Sequence, residues 1–240
     1  MGIGAACCTH LAQLGATVAV ADRNDEAAEA TARSLREAGH TAFALHLDVA
    51  DAESVARAFA RVQAEHSRCD ILVNSAGVAK VMPFLEFPLD NFETTMRINV
   101  TGTLLCSQHA ARLMVQRRWG RIINIASVAG MRAVGTGRTA YGTSKGAVIA
   151  LTRQMAVELA EHGITANAVA PGPVDTPLTQ VLHTEQFRKE YSRAIPMERY
   201  GSTDEIAAAV AYLASDAASY TTGVALPVDG GFYAAGARGI

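Results

Sequence analysis

The chain has 240 residues, with 21 Lys and Arg against 23 Asp and Glu, and a formal net charge of −2. Half of its residues are hydrophobic and 18% are charged, which excludes an intrinsically disordered chain. The sequence lacks the basic excess of a nucleic-acid binder and any apolar run near the roughly 18–20 residues that span a bilayer. We therefore expect one α/β domain over residues 1–240, with neither a nucleic-acid partner nor a membrane partner.

The predicted elements alternate between strands and helices along nearly the whole chain. The strands are expected at 17–21, 42–47, 70–73, 121–125, 165–169 and 224–228. The helices are expected at 24–38, 52–65, 92–117, 140–162 and from Ser202 or Thr203 to 215, with Asp51 as the cap of the second helix. This order predicts a doubly wound, mostly parallel sheet of the Rossmann type with helices on both faces. The proline-containing stretch of about 171–200, with a charged helical piece at 184–193, is expected to be a lid or substrate loop.

The four cysteines are Cys7, Cys8, Cys69 and Cys106. They form no Cys-x-x-Cys pair, and adjacent cysteines suit neither a tetrahedral metal site nor a loop-closing disulfide. We expect them to be buried thiols and the chain to bind no metal. Because the sequence also starts without a secretion signal, a reducing cytoplasmic setting is the default expectation.

Tyr141 and Lys145 provide the strongest local signal for chemistry. Residues four apart share one face of a helix, so the phenol and the ammonium are expected to lie close together. A nearby positive charge lowers the pKa of a tyrosine, as a general acid and base near neutral pH requires. On an isolated helix, a solvated lysine beside a half-buried tyrosine is the alternative.

Two further polar residues precede this pair. Ser127 follows the strand at 121–125, where its hydroxyl could bind a substrate oxygen or simply form a turn. Asn99 lies inside a predicted helix, where asparagine competes with the backbone hydrogen bonds. It predicts a local kink, or else an exposed and mildly destabilising position.

The order of these motifs resembles that of the short-chain dehydrogenase/reductase family. The motifs are Asn74-Ser75-Ala76-Gly77, Asn99, Ser127, Tyr141-x-x-x-Lys145, Pro171-Gly172 and Asp229-Gly230-Gly231. The resemblance implies hydride transfer between a nicotinamide and a carbonyl carbon, with Tyr141 as the general acid and base. It implies that Lys145 tunes Tyr141 and binds the nicotinamide ribose, that Ser127 polarises the substrate oxygen, and that Asn99 holds a water of a proton relay. It also implies cofactor contacts for Gly2, Ile3, Gly4, Asp48, Val49, Asn74, Ala76, Gly77, Pro171, Gly172, Val174 and Thr176.

Asp22 bears on the choice of cofactor. It follows a strand and lies twenty residues beyond Gly2, where an acidic residue accepts hydrogen bonds from the adenosine ribose of NAD. Arg23 could instead pair with the phosphate of NADP, but its charge must compete with Asp22. We therefore expect NAD, while a helix-capping role for Asp22 is compatible with that expectation.

The beginning of the sequence departs from the family pattern. Gly2-Ile3-Gly4 matches only the last three positions of the glycine-rich turn, so the first strand and half of that turn are expected to be missing. The chain could begin at an internal Met of a longer protein. It could instead be the natural chain with impaired function, or another segment could fill the gap. Without that strand, the neighbouring strands are expected to lack a hydrogen-bonding partner. We therefore expect weak cofactor binding and marginal folding.

The substrate is predicted less sharply than the chemistry. The pocket is expected to be lined by 83–87, 128–138 and 178–200. Arg132 or Arg138 could hold a carboxylate or a sugar oxygen there, although a solvated loop arginine is the commoner situation. The second half of the chain resembles family members that act on polyols, sugars or other small secondary alcohols. The alternatives are a 3-oxoacyl-thioester reductase for acyl-carrier protein and a truncated, catalytically impaired protein. The resemblance also implies a homotetramer or homodimer.

Overall fold

The computed structural model describes residues 2–236, and only the backbone of residues 178 and 182. The strands are β1 (Val18–Asp22), β2 (Ala42–His46), β3 (Ile71–Asn74), β4 (Gly120–Ile125), β5 (Ile164–Pro171) and β6 (Ala225–Val228). The helices are α1 (Ile3–Gln13), α2 (Asp25–Glu37), α3 (Ala52–His66), α4 (Leu89–Met96), α5 (Gly102–Val115), α6 (Thr139–Leu159), α7 (Pro177–Leu182), α8 (Glu185–Ala194) and α9 (Thr203–Ala214). This alternation confirms the predicted α/β class.

All the strand pairs in the described residues are parallel, and they fall into two sheets. One sheet contains β1 and β2, and the other has the order β3-β4-β5-β6. Ile71 is in register with Arg121, and Gly120 with Ile164, so the carboxyl ends of β3, β4 and β5 lie at one edge. Among the described strands, β1 pairs only with β2 and β3 only with β4.

Side-chain caps determine where several helices begin. The Asn24 side chain accepts a hydrogen bond from the backbone N–H of Ala27, and that of Asp51 accepts one from Glu53. Ser202 caps α9 in a reciprocal capping box with Glu205, which selects Ser202 over Thr203. Such caps satisfy backbone donors that have no partner within the helix.

The helix predicted over 92–117 is not continuous. A five-residue π-helical turn, Arg97–Thr101, separates α4 from α5 and contains Asn99. A π turn widens the backbone hydrogen-bonding pattern locally and often lies at functional sites. The kink expected from the asparagine is therefore confirmed, and its form is a widened turn.

Two boundaries near the predicted lid differ from expectation. β5 continues through Pro171, which pairs with Val228 at the end of the ladder, where a missing N–H costs least. The stretch then forms α7 as well as the expected charged helix α8. The sequence analysis missed α7, although Thr176, Pro177 and Thr179 form a capping box with proline at the first turn.

The helices cover the sheets on both faces, and α1 links the two sheets. Leu11 packs against a cluster around Ile123 and Val169 of the larger sheet. It also packs against a cluster around Val18 and Val20 of the smaller sheet. On the opposite face, α3 and α5 share a third cluster with the larger sheet.

The cysteines are free thiols in the structure. Cys7 and Cys106 are buried, whereas Cys8 and Cys69 are partly buried, so the prediction of buried thiols is correct in full for two of the four. Burial raises the pKa of Cys7 to about 12 and that of Cys106 to about 11. Among the described helices, none is both long and apolar enough to cross a membrane.

Candidate active site

Tyr141 and Lys145 lie one turn apart on α6, as predicted. The Lys145 Nζ atom is 5.8 Å from the centre of the Tyr141 ring. The lysine is 5% exposed, and its Nζ donates a hydrogen bond of 2.7 Å to the carbonyl oxygen of Ile125 at the end of β4. The solvated lysine considered as an alternative is therefore wrong.

The pKa values of this pair differ from the simple expectation. Burial lowers the pKa of Lys145 to about 8. Burial raises the pKa of Tyr141, while a hydrogen bond with Ser127 and the charge of Arg138 act in the opposite direction. The expected lowering of the tyrosine pKa by Lys145 is not observed, because the net shift is upward and the opposing influences come from Ser127 and Arg138.

Ser127 is held at the carboxyl end of β4. It caps the short 3-10 turn Val128–Gly130, and its Oγ accepts a hydrogen bond of 3.1 Å from the N–H of Ala129. The serine is 8% exposed. The side chain therefore forms the turn, and it lies near enough to Tyr141 to lower the pKa of that phenol. Its role in binding a substrate oxygen stays a prediction.

Asn99 is buried and connects three parts of the site. Its Oδ1 accepts a hydrogen bond from the N–H of Val78 at 2.8 Å, and its Nδ2 donates to the carbonyl oxygen of Val78 at 3.0 Å. Nδ2 also donates to Ser144 at 2.9 Å, and the Ser144 hydroxyl donates to the carbonyl oxygen of Tyr141 at 2.8 Å. The exposed position considered from the sequence is wrong, because Asn99 is 1% exposed.

Glycines bring the loop after β3 close to these side chains. A Cβ atom on Gly77 would lie 3.3 Å from Asn99 Oδ1 and 3.4 Å from Lys145 Nζ. A Cβ atom on Gly4 would lie 3.2 Å from Ser75 Oγ, so the first turn of α1 meets the same loop. The residues form a glycine-lined surface beside a buried lysine, which suits the close approach of a nucleotide cofactor.

The start of α1 and the loop after β3 hold the other residues predicted for this surface. Gly2 precedes α1 with φ 106° and Ile3 packs into the core. Asn74 donates hydrogen bonds to Ser107 and Asn124, and Ala76 is exposed. Asn74 therefore anchors the loop, while its next residues remain accessible.

The acidic residues predicted for the adenosine end lie at the carboxyl ends of β1 and β2. Asp22 is exposed and its Oδ1 accepts a hydrogen bond of 2.9 Å from the N–H of Asn24. It is not the cap of α2, which is Asn24 itself. Asp48 accepts a hydrogen bond from Ala50. Val49 packs so tightly on α5 that a Cβ at Gly102 would lie 2.8 Å from its side chain.

The residues predicted to flank the nicotinamide follow β5. Gly172 donates its N–H to Val228 and packs against Asp229, which a Cβ would approach to 2.8 Å. Val174 is buried and bridges to Gly201, while Thr176 caps α7. They lie at the same strand edge as Ser127 because β4 and β5 are adjacent and parallel.

A group of rings covers the region after β5, and the sequence analysis did not find it. This lid aromatic cluster consists of His183, Phe187, Tyr191, Tyr200 and Phe232. His183 Nδ1 lies 3.0 Å from the Tyr200 hydroxyl. The rings are spread over 50 residues of irregular spacing, so only the fold brings them together. Ser144 was also missed, although its position three residues after Tyr141 places it on the same helix face.

Comparison with known proteins identifies the family. A family model described as "Enoyl-(Acyl carrier protein) reductase" matches residues 1–233. The chain belongs to the short-chain dehydrogenase/reductase family. It is 38% identical over 233 residues to the 3-oxoacyl-[acyl-carrier-protein] reductase FabG of Aquifex aeolicus, covering 97% of this chain and 93% of that protein. It is 42% identical over 235 residues to cis-4-hydroxycyclohexanecarboxylate dehydrogenase of Sinomonas cyclohexanicum, with the same shares of the two chains.

Solved structures agree with this assignment. A gluconate 5-dehydrogenase from Burkholderia cenocepacia, crystallised with NADP and tartrate, superposes with a TM-score of 0.94 at 36% identity. The match covers 98% of this chain and 92% of that one. The short-chain dehydrogenase/reductase fold and the oxidoreductase class are therefore established for this protein.

Proposed function

We propose that this protein is an NAD-dependent dehydrogenase that interconverts a small secondary alcohol and its ketone. One observation carries the proposal: Tyr141 lies near enough to Ser127, at the edge of the sheet, for the serine hydroxyl to oppose the rise in its pKa, and one helix turn from the buried Lys145. A paired phenol and serine can bind one substrate oxygen, and the glycine-lined surface beside them leaves space for a flat cofactor. We therefore assign the catalytic roles to Asn99, Ser127, Tyr141 and Lys145.

Each of these four side chains has a distinct role in the proposed reaction. Ser127 donates a hydrogen bond to the substrate oxygen and orients it. Tyr141 Oη takes the hydroxyl proton during oxidation and returns it to the carbonyl oxygen during reduction. We assign to Lys145 Nζ, 5.8 Å from the Tyr141 ring centre, the stabilisation of the phenolate that forms during the reaction, although its charge does not lower the pKa of the resting phenol. Asn99 fixes the loop at Val78 and, through Ser144, the backbone of Tyr141. The nicotinamide, when bound, accepts or supplies the hydride at the carbon.

The surface around Gly77 fits a nicotinamide dinucleotide. We assign its binding to Gly2, Ile3, Gly4, Asp22, Asp48, Val49, Asn74, Ala76, Gly77, Tyr141, Lys145, Pro171, Gly172, Val174 and Thr176. Exposed N–H groups at the start of α1 favour an anionic group. NAD is the proposed cofactor because Asp22 offers an exposed carboxylate that accepts hydrogen bonds from ribose hydroxyls and repels a phosphate.

The Tyr141→Phe substitution tests the catalytic assignment. Removing one hydroxyl takes away the proton donor and keeps the ring, so we expect kcat to fall by about 10²–10⁴-fold. The measurement is cofactor absorbance during oxidation of a panel of polyols and cyclic secondary alcohols. Thermal unfolding and NAD titration by calorimetry serve as controls and should match those of the unsubstituted protein. Activity that survives the substitution contradicts the assignment.

The Asp22→Ala substitution tests the cofactor preference. We expect the ratio of kcat/KM for NAD over NADP to fall by about tenfold or more, because the ribose acceptor and the repulsion of a phosphate are lost together. Glu26→Ala is the matched control, since Glu26 is another exposed carboxylate in the first turn of α2. Equal ratios for Asp22→Ala and the unsubstituted protein would show that Asp22 does not select the cofactor.

A second candidate, reduction of 3-oxoacyl thioesters, is favoured by the similarity to the carrier-protein reductase. The two activities are separated by assaying acetoacetyl thioester with NADPH beside the alcohol panel with NAD. Thioester reduction that exceeds every alcohol oxidation by tenfold in kcat/KM would favour this second function.

We further propose that the protein acts in the cytoplasm as a homotetramer. The buried free thiols suit a reducing compartment. α5 and α6 carry exposed apolar side chains at Leu104 and Val157, which suit helix packing between copies. Light scattering should give about four times the chain mass of 25.2 kDa, and a mass of one chain would contradict the assembly.

A further inference from the structure

Arg138 is placed beside the proposed catalytic tyrosine. It is the residue before α6 and lies three positions ahead of Tyr141, so the two side chains are neighbours at a helix start. Its side chain is half-buried. In the part of the chain that the structure describes, this guanidinium makes no hydrogen bond or ion pair. A half-buried guanidinium without a protein acceptor has its N–H donors available to a ligand.

The neighbouring Arg132 and Arg188 have hydrogen-bonding or ion-pair partners in the protein, in contrast to the Arg138 side chain. Arg188 forms an ion pair with Asp175 and lies over the ring of Tyr200. Arg132 donates hydrogen bonds to the carbonyl oxygens of Phe232 at 3.3 Å and of residue 235 at 3.1 Å. Arg132 therefore holds the last described turn of the chain against the lid aromatic cluster. Glu190 and Arg193 line the same surface as Arg132, and Glu190 accepts a hydrogen bond from Gln186.

The charge of Arg138 is directed toward the lid aromatic cluster as well as toward Tyr141. Burial is the largest influence on both pKa values: it lowers that of His183 and raises that of Tyr191. The charge of Arg138 is the second influence, and it lowers both. The lowered pKa favours the neutral form of His183. The space between α6 and α8 thus combines one unneutralised cation with neutral, hydrogen-bonding rings.

We propose that Arg138 binds the carboxylate of a hydroxy-acid or keto-acid substrate whose reacting oxygen lies between Ser127 and Tyr141. The proposal rests on the dehydrogenase function proposed above and names its substrate class. A guanidinium offers two parallel N–H donors that match the two oxygens of a carboxylate. The Arg138 charge acts on the phenol of Tyr141, so we expect the carboxylate to lie only a few bonds from the carbinol carbon.

The experiment compares acids with their methyl esters. Secondary hydroxy acids with one to four carbons between the carboxylate and the carbinol carbon are assayed with NAD and with NADP, each beside its methyl ester. We expect at least one acid to exceed its ester by about tenfold or more in kcat/KM, because the ester removes the charge and keeps the reacting group.

Substitutions connect that preference to Arg138. Arg138→Met and Arg138→Gln should lower kcat/KM for the preferred acid by about 10–100-fold more than for its ester. A smaller loss shared by both substrates is expected, because the Arg138 charge also lowers the pKa of Tyr141. Arg138→Lys should restore part of the loss, since it keeps the charge without the fork geometry. Arg153→Met is the matched control, because Arg153 is an exposed arginine on α6.

The outcomes separate this proposal from the function on which it rests. Neutral alcohols oxidised as well as, or better than, every acid would overturn the carboxylate site and leave the dehydrogenase function standing. Equal losses for acid and ester in both Arg138 variants would also overturn it, since a role in folding, or in the pKa of Tyr141, affects the two substrates alike. Oxidation of no alcohol at all, in a folded protein that binds the cofactor, would refute the proposed dehydrogenase function itself.

Discussion

A buried lysine should leave a signature in the pH dependence of stability. Lys145 has a pKa of about 8 in the folded chain, against an ordinary value of 10.5, because it is desolvated. Between these pH values the unfolded chain binds a proton that the folded chain does not, so the free energy of unfolding rises with pH. Below about pH 8 both states are protonated and the full cost of burying the charge is present.

The Lys145→Met substitution isolates this effect. Methionine keeps the apolar part of the side chain and removes the titration. Relative to that variant, the unsubstituted protein should gain about 3 kcal/mol in unfolding free energy as the pH rises from 7 to above 10.5. Urea unfolding of both proteins at several pH values measures the difference. A difference that does not change with pH would show that the ammonium is not desolvated.

Local spacing predicted some site residues and could not predict others. Tyr141 and Lys145 were found because helix geometry alone places residues four apart on one face. The bond from Lys145 to Ile125, and the bond from Asn99 to Ser144, join residues far apart in sequence. Such contacts depend on how α6 packs on β4, and local spacing in the sequence carries no information about that packing. The roles assigned to these residues stay predictions until the variants are measured.

At the level of elements, the position of a strand in its sheet determines how well its backbone amides are protected from hydrogen exchange. β4 and β5 each have a paired neighbour on both sides, whereas β1 and β2 pair only with each other among the described strands. β4 is also fully buried, while β1 ends in exposed residues. We expect backbone amides of β1 and β2 to exchange with deuterium at least about tenfold faster than those of β4 and β5. Mass spectrometry of peptides that cover each strand measures this, and equal protection in the two sheets would contradict the division.

Helix ends were predicted better than helix interiors. The predicted caps Asp51 and Ser202 have side chains that satisfy backbone donors, and this chemistry is local. The cap of α2 is Asn24 and not Asp22, which lies two residues earlier. The π turn at Asn99 was visible only as an unfavourable residue, because its form depends on the long-range bonds to Val78. α7 was missed since a six-residue helix gives too short a pattern for periodicity to reveal.

At the level of the whole molecule, the two sheets depend on helices to hold them together. The sequence predicts a single domain over 1–240, and this stays a prediction. In the structure α1 contacts α9 on the larger sheet and β1 and α2 on the smaller one. Leu11 belongs to the apolar clusters of both sheets. Apolar packing across α1 therefore connects the two sheets in the described residues.

The Leu11→Ala substitution tests this connection. Removing a partly buried leucine side chain should lower the unfolding free energy by about 2 kcal/mol. Because one side chain serves both clusters, deuterium exchange should increase in β1 and β2 and in β6 together. Leu14→Ala is the control, since Leu14 caps the same helix but is 69% exposed, and its effect should stay within about 0.5 kcal/mol. Urea unfolding followed by the single tryptophan, Trp119, which precedes β4, gives the first quantity. Increased exchange confined to the smaller sheet would show that α1 stabilises that sheet alone.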